Sequence, residues 1–512
     1  MLSQSAAEVS SCKLVPRFVT SKLLLATIVG MLAFALGCGS SGSNIPITGN
    51  FSNSSLKGNY TYHLYGMDTS GNQYAEAGVF VADGNGNITS GTDDFNQFGN
   101  GFASSAITGK YSIGRDGNGQ ITFTINAQSG NTFTVAVTLV STSNLYMTEI
   151  DTFANAYGEA TLQDTTAFSA APSGTFAFRI HDFASTFANT ASLVGALTSN
   201  GGTITGSVDE VRGGTLHAGA SLTSGSFSTP DATGRGTLSF VDSLPITSTY
   251  VYYVIDANTV EVLQQDANNL GLGRFERQSG GAIALSGNYV FGSKGDTTSN
   301  GTDAVQTVGG FSADGTSAIP GGAYDSVQDG TQIVDQPFTG SFASGGNGRF
   351  AVTLNPQGGS PITEVFWMVS STRGFFLVSD PVKVEDGTID AQQSGSFSVS
   401  SLKGQYAYLN GGFDFTPELL TRVGTFIPDG NGNLNLNEVV NAFTPTNGAS
   451  LNNPVVPGTY TVDATGRATA TLTGTTNNID LVFYMLSPSQ AYVLQNDAGV
   501  QVSGKTTLQV AP

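Results

Sequence analysis

Ser55 to Asp94 reads SLKGNYTYHLYGMDTSGNQYAEAGVFVADGNGNITSGTDD, and it returns at Ser401 as SLKGQYAYLNGGFDFTPELLTRVGTFIPDGNGNLNLNE. Gly58, Tyr60, Tyr62, Gly78, Phe80 and Asp83 reappear as Gly404, Tyr406, Tyr408, Gly424, Phe426 and Asp429, all at one offset. Within the first copy, Tyr60, Tyr62 and Leu64 alternate with Asn59, Thr61 and His63, the period of a half-buried antiparallel strand. A repeated β unit therefore organises the chain, and repeats of this kind decide the fold before any single residue does.

Two landmarks fix the period. A Gly-x-aromatic opening occurs at Gly58, Gly174, Gly287 and Gly404, at spacings of 116, 113 and 117. A second falls at Gly109, Gly225, Gly340 and Gly458, at spacings of 116, 115 and 118. Later turns keep the beat: DGNGQ at Asp116, DATGR at Asp231, GGNGR at Gly345 and DATGR at Asp463. The repeats are read as 53–167, 168–279, 280–396 and 397–512, preceded by a leader over 1–37 and a tether over 38–52.

About eight short strands fit in the first repeat, joined in sequence by tight turns such as DGNGN at Asp83, where Gly and Asn supply positive φ. The expectation is an all-β chain of four tandem antiparallel domains, each an eight-stranded up-and-down barrel, because closure removes exposed strand edges. Ig-like sandwiches and an eight-bladed propeller of half-repeats are the alternatives. The Gly-x-aromatic opening resembles the start of calycin barrels, avidin-like and lipocalin-like. As a whole the chain resembles uncharacterised bacterial repeat lipoproteins with SLxGxYxF and DGxGxI units, a likeness that implies no activity.

The leader points to export. Leu23 to Leu36 is a 14-residue apolar run, too short to span a bilayer and of signal-peptide length. It ends in Ala35-Leu36-Gly37-Cys38, which resembles the lipobox of bacterial lipoproteins and implies lipidation of Cys38. Cys12 lies in the leader, so the mature chain owns one Cys, which cannot close an intramolecular disulfide. Gly39 to Ser54 reads as a flexible tether. The expected location is the bacterial cell envelope, at the outer membrane or cell surface, with the membrane as a partner through the anchor.

Composition narrows the function. The chain has 512 residues, a formal charge of −19, 66 Gly and 11% charged residues. Without its leader it carries 16 basic and 37 acidic residues, a surface that repels phosphate backbones and excludes nucleic acid as an expected partner. The three histidines, His63, His181 and His217, show no metal-ligand spacing, and neither a GxSxG elbow nor a catalytic Cys is present. No enzyme and no cofactor is expected.

The expected role is a non-enzymatic binding or scaffold array with avidity for a repetitive polysaccharide. The alternatives are a small apolar ligand inside each barrel and, more remotely, an envelope glycoside hydrolase built on paired carboxylates. Candidate polar ligand contacts are the acids that end the seventh strand of each repeat, Asp151, Asp266, Asp380 and Asp497. A second recurrent set, Asp93, Asp209, Asp325 and Glu438, lies near each third strand. Val365 to Met368, with the single Trp367, and Tyr250, Tyr252 and Tyr253 are aromatic strands suited either to core and inter-domain contact or to a binding face.

Overall fold

A computed structural model describes residues 49–512 except 99, 127–130, 153, 185, 243–246, 267–268, 299–304, 415–418, 443–448, 453–454 and 475–477. The leader, Cys38 and the tether as far as residue 48 lie outside the described residues. In the first repeat β1 (Lys57–Asp68), β2 (Gln73–Asp83), β3 (Asn87–Asn96), β4 (Phe102–Ile113), β5 (Asn118–Ile125), β6 (Asn131–Leu139), β7 (Asn144–Glu149) and β8 (Ala154–Leu162) pair in order. β8 returns to β1, from Tyr60 opposite Leu162 to Asp68 opposite Ala154, and closes the barrel.

Three more closed barrels follow. Barrel 2 runs from Gly174–Ala184 to Asn269–Arg277, barrel 3 from Ser286–Thr297 to Lys383–Ala391, and barrel 4 from Tyr406–Asp414 to Val500–Leu508. In barrel 4 the place of β4 is filled by two segments, Ala449–Asn452 and Val456–Val462, both paired with Asn433–Ala442. The expected up-and-down barrel is thus the fold, and neither sandwich nor propeller forms.

The two glycine landmarks do different work. Gly58, Gly174, Gly287 and Gly404 open each first strand at φ of +128°, +110°, +99° and +120°, where a side chain is strained. Gly109, Gly225, Gly340 and Gly458 sit where a Cβ would lie 2.3 to 2.7 Å from a carbonyl oxygen of the neighbouring strand. The DGNGN turn is held by its own aspartate: Asp83 accepts from the Asn85 and Asn87 N–H groups at 2.6 and 3.0 Å. These bonds, led by that of the Asn87 side chain, lower Asp83 to about 2.

Alternation then sorts every strand into a barrel face and an outer face. Tyr60, Tyr62, Phe80 and Phe123 fill barrel 1, with Tyr62 stacked on Phe123 at 5.6 Å. Outward residues build the seams between barrels. Tyr65, Ala77, Tyr157, Phe183, Tyr253, Leu409 and Val423 form one apolar cluster that joins barrel 1 to both barrel 2 and barrel 4. Val194, Val211, Trp367 and Phe375 join barrels 2 and 3, and Val290, Val308, Tyr484 and Leu494 join barrels 3 and 4. Barrel 1 touches 2, 2 touches 3, 3 touches 4 and 4 touches 1, so the repeats close into a ring that is one compact unit.

Three seams carry the same polar clamp. Asp94 of β3 accepts from Arg235 Nε at 2.7 Å and Nη2 at 2.8 Å, and from the Tyr253 hydroxyl. Asp209 accepts from Arg349 at 2.8 and 2.7 Å and from Trp367 Nε1 at 2.7 Å. Asp325 accepts from Arg467 at 2.7 and 2.6 Å and from the Tyr484 hydroxyl at 2.8 Å. Each aspartate also takes the N–H of a positive-φ residue at a bulge in the next strand: Ser104, Gly219 and Asp335.

The seam from barrel 4 to barrel 1 has lost both halves of this clamp. Register places Val439 where the aspartate stands, and Gln120 and Ala136 where the arginine and aromatic stand. Amides replace them: Asn155 Nδ2 donates to the Leu419 and Asn441 carbonyls at 2.6 and 2.9 Å. Asn441 Nδ2 in turn donates to the Glu149 carbonyl at 2.7 Å, and the C-terminal Gln509 to the Leu139 carbonyl at 2.6 Å.

The third-strand acids therefore do not form one set. Asp209 and Asp325 face seams, whereas Asp93 and Glu438 are buried inside their barrels. Asp94, opposite Ala77, is the counterpart of Asp209 opposite Val194 and Asp325 opposite Val308. Asp93 shares the repeat spacing of Asp209 but stands one register position away, and one residue turns a strand's face over.

Candidate functional site: the axial cavity

Where the four barrels meet, outward residues of their first and last strands enclose a cavity of about 360 Å³. Equivalent positions converge on it. Five residues past each opening glycine stand His63, Arg179, Gly292 and Leu409, and their partners on the last strands are Glu159, Arg274, Thr388 and Lys505. Two residues further stand Tyr65, His181, Lys294 and Gly411. The ring thus has approximate four-fold symmetry in its backbone and none in the chemistry of its axis.

The cavity grades from an open end to a closed one. Side-chain exposure is 37% for Lys505, 32% for Arg373 and 30% for Arg274, but 6% for His181 and 0% for Asp386. The mouth lies at the end where first strands begin and last strands finish. The floor is aromatic and charged: Tyr65 stacks on Phe183 at 4.2 Å, and the Lys294 ammonium lies 4.5 Å from the centroid of Tyr157 and donates to its hydroxyl.

Charges at the axis are tied across barrels. Arg179 and His181 of barrel 2 both bond Asp386 of barrel 3, which also accepts from Ser192 Oγ at 2.5 Å. Arg373 of barrel 3 donates through Nε and Nη2 to Glu276 of barrel 2 at 2.6 and 2.9 Å, and through Nη1 to Asp390 at 2.8 Å. His63 of barrel 1 lies 3.2 Å from Glu261 of barrel 2, and Lys505 of barrel 4 lies 3.7 Å from Glu159 of barrel 1.

These neighbours set the protonation states. Lys505 pulls Glu159 to about 2. Burial works against ionisation of Asp386, but Arg179 and His181 outweigh it and hold the carboxyl well below the usual range. Burial likewise opposes the imidazolium of His181, and Asp386 with Asp296 overrides it, raising His181 to about 10. His63 is raised by Glu261 against the same penalty. His181 is therefore a cation at neutral pH.

The acids that end each seventh strand lie elsewhere. They sit on the opposite rim and brace turns: Asp151 accepts from the Thr134 and Ala154 N–H groups, both at 3.3 Å. Asp266 accepts from Thr249 Oγ1 and Gln264 Nε2, each at 2.7 Å. Asp380 accepts from the Val382 N–H at 2.9 Å, and Asp497 from Gln495 Nε2 at 2.7 Å. None of the four lines the axial cavity. Of the aromatic strands, Tyr250, Tyr252 and Phe366 point into barrel cores and Tyr253 and Trp367 into seams.

Sequence reasoning missed the axis because no repeat contains it. A usable signal was present: basic residues at outward positions five and seven past the opening glycine, Arg179, His181 and Lys294, in a chain with few cations to place.

No family model matches the chain, and no curated protein sequence does. Among solved structures, kievitone hydratase from Nectria haematococca is similar at 10% identity, over 44% of this chain and 91% of that one, with a TM-score of 0.20. The intact Ap-TbpB, with N and C lobes, is similar at 9% identity over 89% of this chain and 96% of that one, TM-score 0.18. Transferrin binding protein B from serogroup B Neisseria meningitidis matches at 9% identity over 71% and 83%, TM-score 0.19. TM-scores this low carry no argument for this chain, whose four closed barrels stand on their own strand pairings.

Proposed function

We propose that this chain is an exported, lipid-anchored, non-enzymatic binding protein of the bacterial envelope, and that its binding site is the axial cavity of the ring. The observation that carries the reading is a cavity of small-molecule size walled by all four repeats. A ligand inside each barrel has no such support, because Tyr60, Tyr62, Phe80 and Phe123 fill the first one and equivalent aromatics the others. A hydrolase would need one carboxyl kept protonated near neutrality. At the axis Glu159 and Asp386 are both held ionised by cations, which favours binding over hydrolysis.

Native mass spectrometry of the soluble fragment beginning at Gly39, purified from envelope extract, tests the binding. A retained adduct lost on denaturation is expected; a bare mass under every condition, with no thermal stabilisation by any extract fraction, refutes it. Anchoring is tested separately. Cys38→Ser should move the full-length protein from the membrane fraction to the soluble one, and an unchanged distribution would exclude Cys38 as the anchor.

A further inference from the structure

We propose, building on the binding reading above, that the axial cavity is an anion site. It takes a compact molecule bearing a carboxylate or phosphate group, held between Arg274, Arg373 and Lys505 at the mouth and His181 and Lys294 at the floor.

The distribution of charge is the first ground. Sixteen Lys and Arg follow the leader in a chain of net charge −19. Five of them line this one cavity, with two of the three histidines. Against them stand Glu159, Glu261 and Asp386 in the lining, and Glu276, Asp390 and Asp296 behind it, which pair with Arg274, Arg373 and His181. An acidic protein has collected its scarce cations in its interior, where a low dielectric strengthens their field.

The fold does not require them there. At the position of His63 and Arg179 the other repeats have Gly292 and Leu409, and at that of Arg274 and Lys505 barrel 3 has Thr388. Barrels of the same register close without these charges, so barrel closure does not account for them.

Hydrogen-bonding capacity is also left unused. Among the described residues Arg179 Nε and His181 Nε2 are buried without a hydrogen-bond partner, and His181 is only 5% exposed. His181 Nε2 faces Asp296 Oδ2 across 3.7 Å, and Lys505 faces Glu159 across the same distance. Both are too long for a charge-assisted hydrogen bond, which an incoming anion at about 2.8 Å would make. A neutral ligand could take these donors without the charge-assisted gain, and a cation would meet them with like charge.

The test is calorimetric titration of the fragment from Gly39 with inorganic phosphate, citrate, glucuronate and, as a neutral match, glucose. At least one anion is expected to bind where glucose does not. Its affinity should fall as NaCl is raised from about 20 mM to about 500 mM, since screening shortens the reach of the cations. Lys505→Gln and Arg274→Gln should each weaken binding about tenfold or more, while Lys57→Gln, at an exposed strand start outside the cavity, should not. Lys505 has one long pair, so its replacement spares the fold; should Arg274→Gln fail to fold, the salt dependence of the unaltered protein decides. Equal binding of glucose and glucuronate, or retention of a neutral ligand with no anion bound, overturns the anion assignment and leaves the binding protein standing. A bare cavity in both calorimetry and mass spectrometry overturns both.

Discussion

Replacing Asp209 by Val tests the seam clamp with a residue the protein itself uses, since Val439 stands at the equivalent place in barrel 4. Asp209 is fully buried and its loss strands four donors, two of Arg349, Trp367 Nε1 and the Gly219 N–H. Trp367 Nε1, on a side chain only 3% exposed, cannot reach water, which costs about 1–3 kcal/mol. Arg349 keeps 22% of its side chain exposed and recovers part of its hydration, so its share is nearer 1 kcal/mol than the 3–5 kcal/mol of a wholly buried broken pair. The expected loss is about 3 kcal/mol, or about 1 M in the urea midpoint at a slope of about 2–3 kcal/mol per molar. Adding Arg349→Gln, the residue standing at Gln120 in barrel 1, removes the stranded charge and should restore about a third to a half of the loss. Urea unfolding of the fragment from Gly39, followed by intrinsic fluorescence and far-ultraviolet dichroism, measures both variants. A single variant within about 0.5 kcal/mol of the parent, or a double variant no better than the single, would refute the clamp as a source of stability.

Two further outcomes follow from the barrels themselves. Gly287→Ala meets no atom within 4 Å and pays only for φ of +99°, whereas Gly58→Ala also drives its Cβ to 2.7 Å from Leu162 Cδ1. Thermal unfolding should rank Gly58→Ala as the worse, with Gly287→Ala costing about 1–2 kcal/mol; equal stability of Gly287→Ala and parent would remove φ as the reason for the landmark. Inside barrel 1, burial raises Asp93 to about 7 and raises Glu76 and Glu149 as well. The folded chain keeps protons that the unfolded chain releases above about pH 4, so this stability is complete below that pH and falls as pH rises toward about 7. Denaturation midpoints between about pH 4.5 and 7.5 should therefore decline, by on the order of 3 kcal/mol for Asp93 alone, and Asp93→Asn should flatten the decline; an unchanged slope in that variant contradicts the assignment.

The barrel was legible because its determinants are local. Tyr60 and Tyr62, the DGNGN turn and the opening glycine each specify their own strand or turn, and a period near 116 repeats them. The ring was not, because its determinants are single residues on the outer face, paired across 140 to 142 positions. Tyr252 and Tyr253 make the difficulty plain: adjacent and alike, one packs a barrel core and the other bonds Asp94 across a seam. A trace of the ring was still readable. The arginine after the DATG-type turn is present in repeats two to four and is Gln120 in the first. Its aspartate is present in repeats one to three and is Val439 in the fourth. Two features that fail at opposite ends of the chain are what a row of head-to-tail contacts leaves behind.

That row also changes what repetition is for. Four barrels strung on a tether would offer four similar outer surfaces, and gain would come from avidity. Closed into a ring, the same barrels turn their clamp residues and their most basic strand faces inward, and four-fold repetition encloses one axial cavity. A cavity made this way can differ at every quarter without emptying any barrel core, because the positions that face the axis are outward positions with respect to each core. His63, Arg179, Gly292 and Leu409 have diverged freely around one backbone, whereas Tyr60, Phe176, Tyr289 and Tyr406, which fill the cores, remain aromatic. What the axis presents is then a matter of side chains alone, set by residues that take no part in filling the barrel cores.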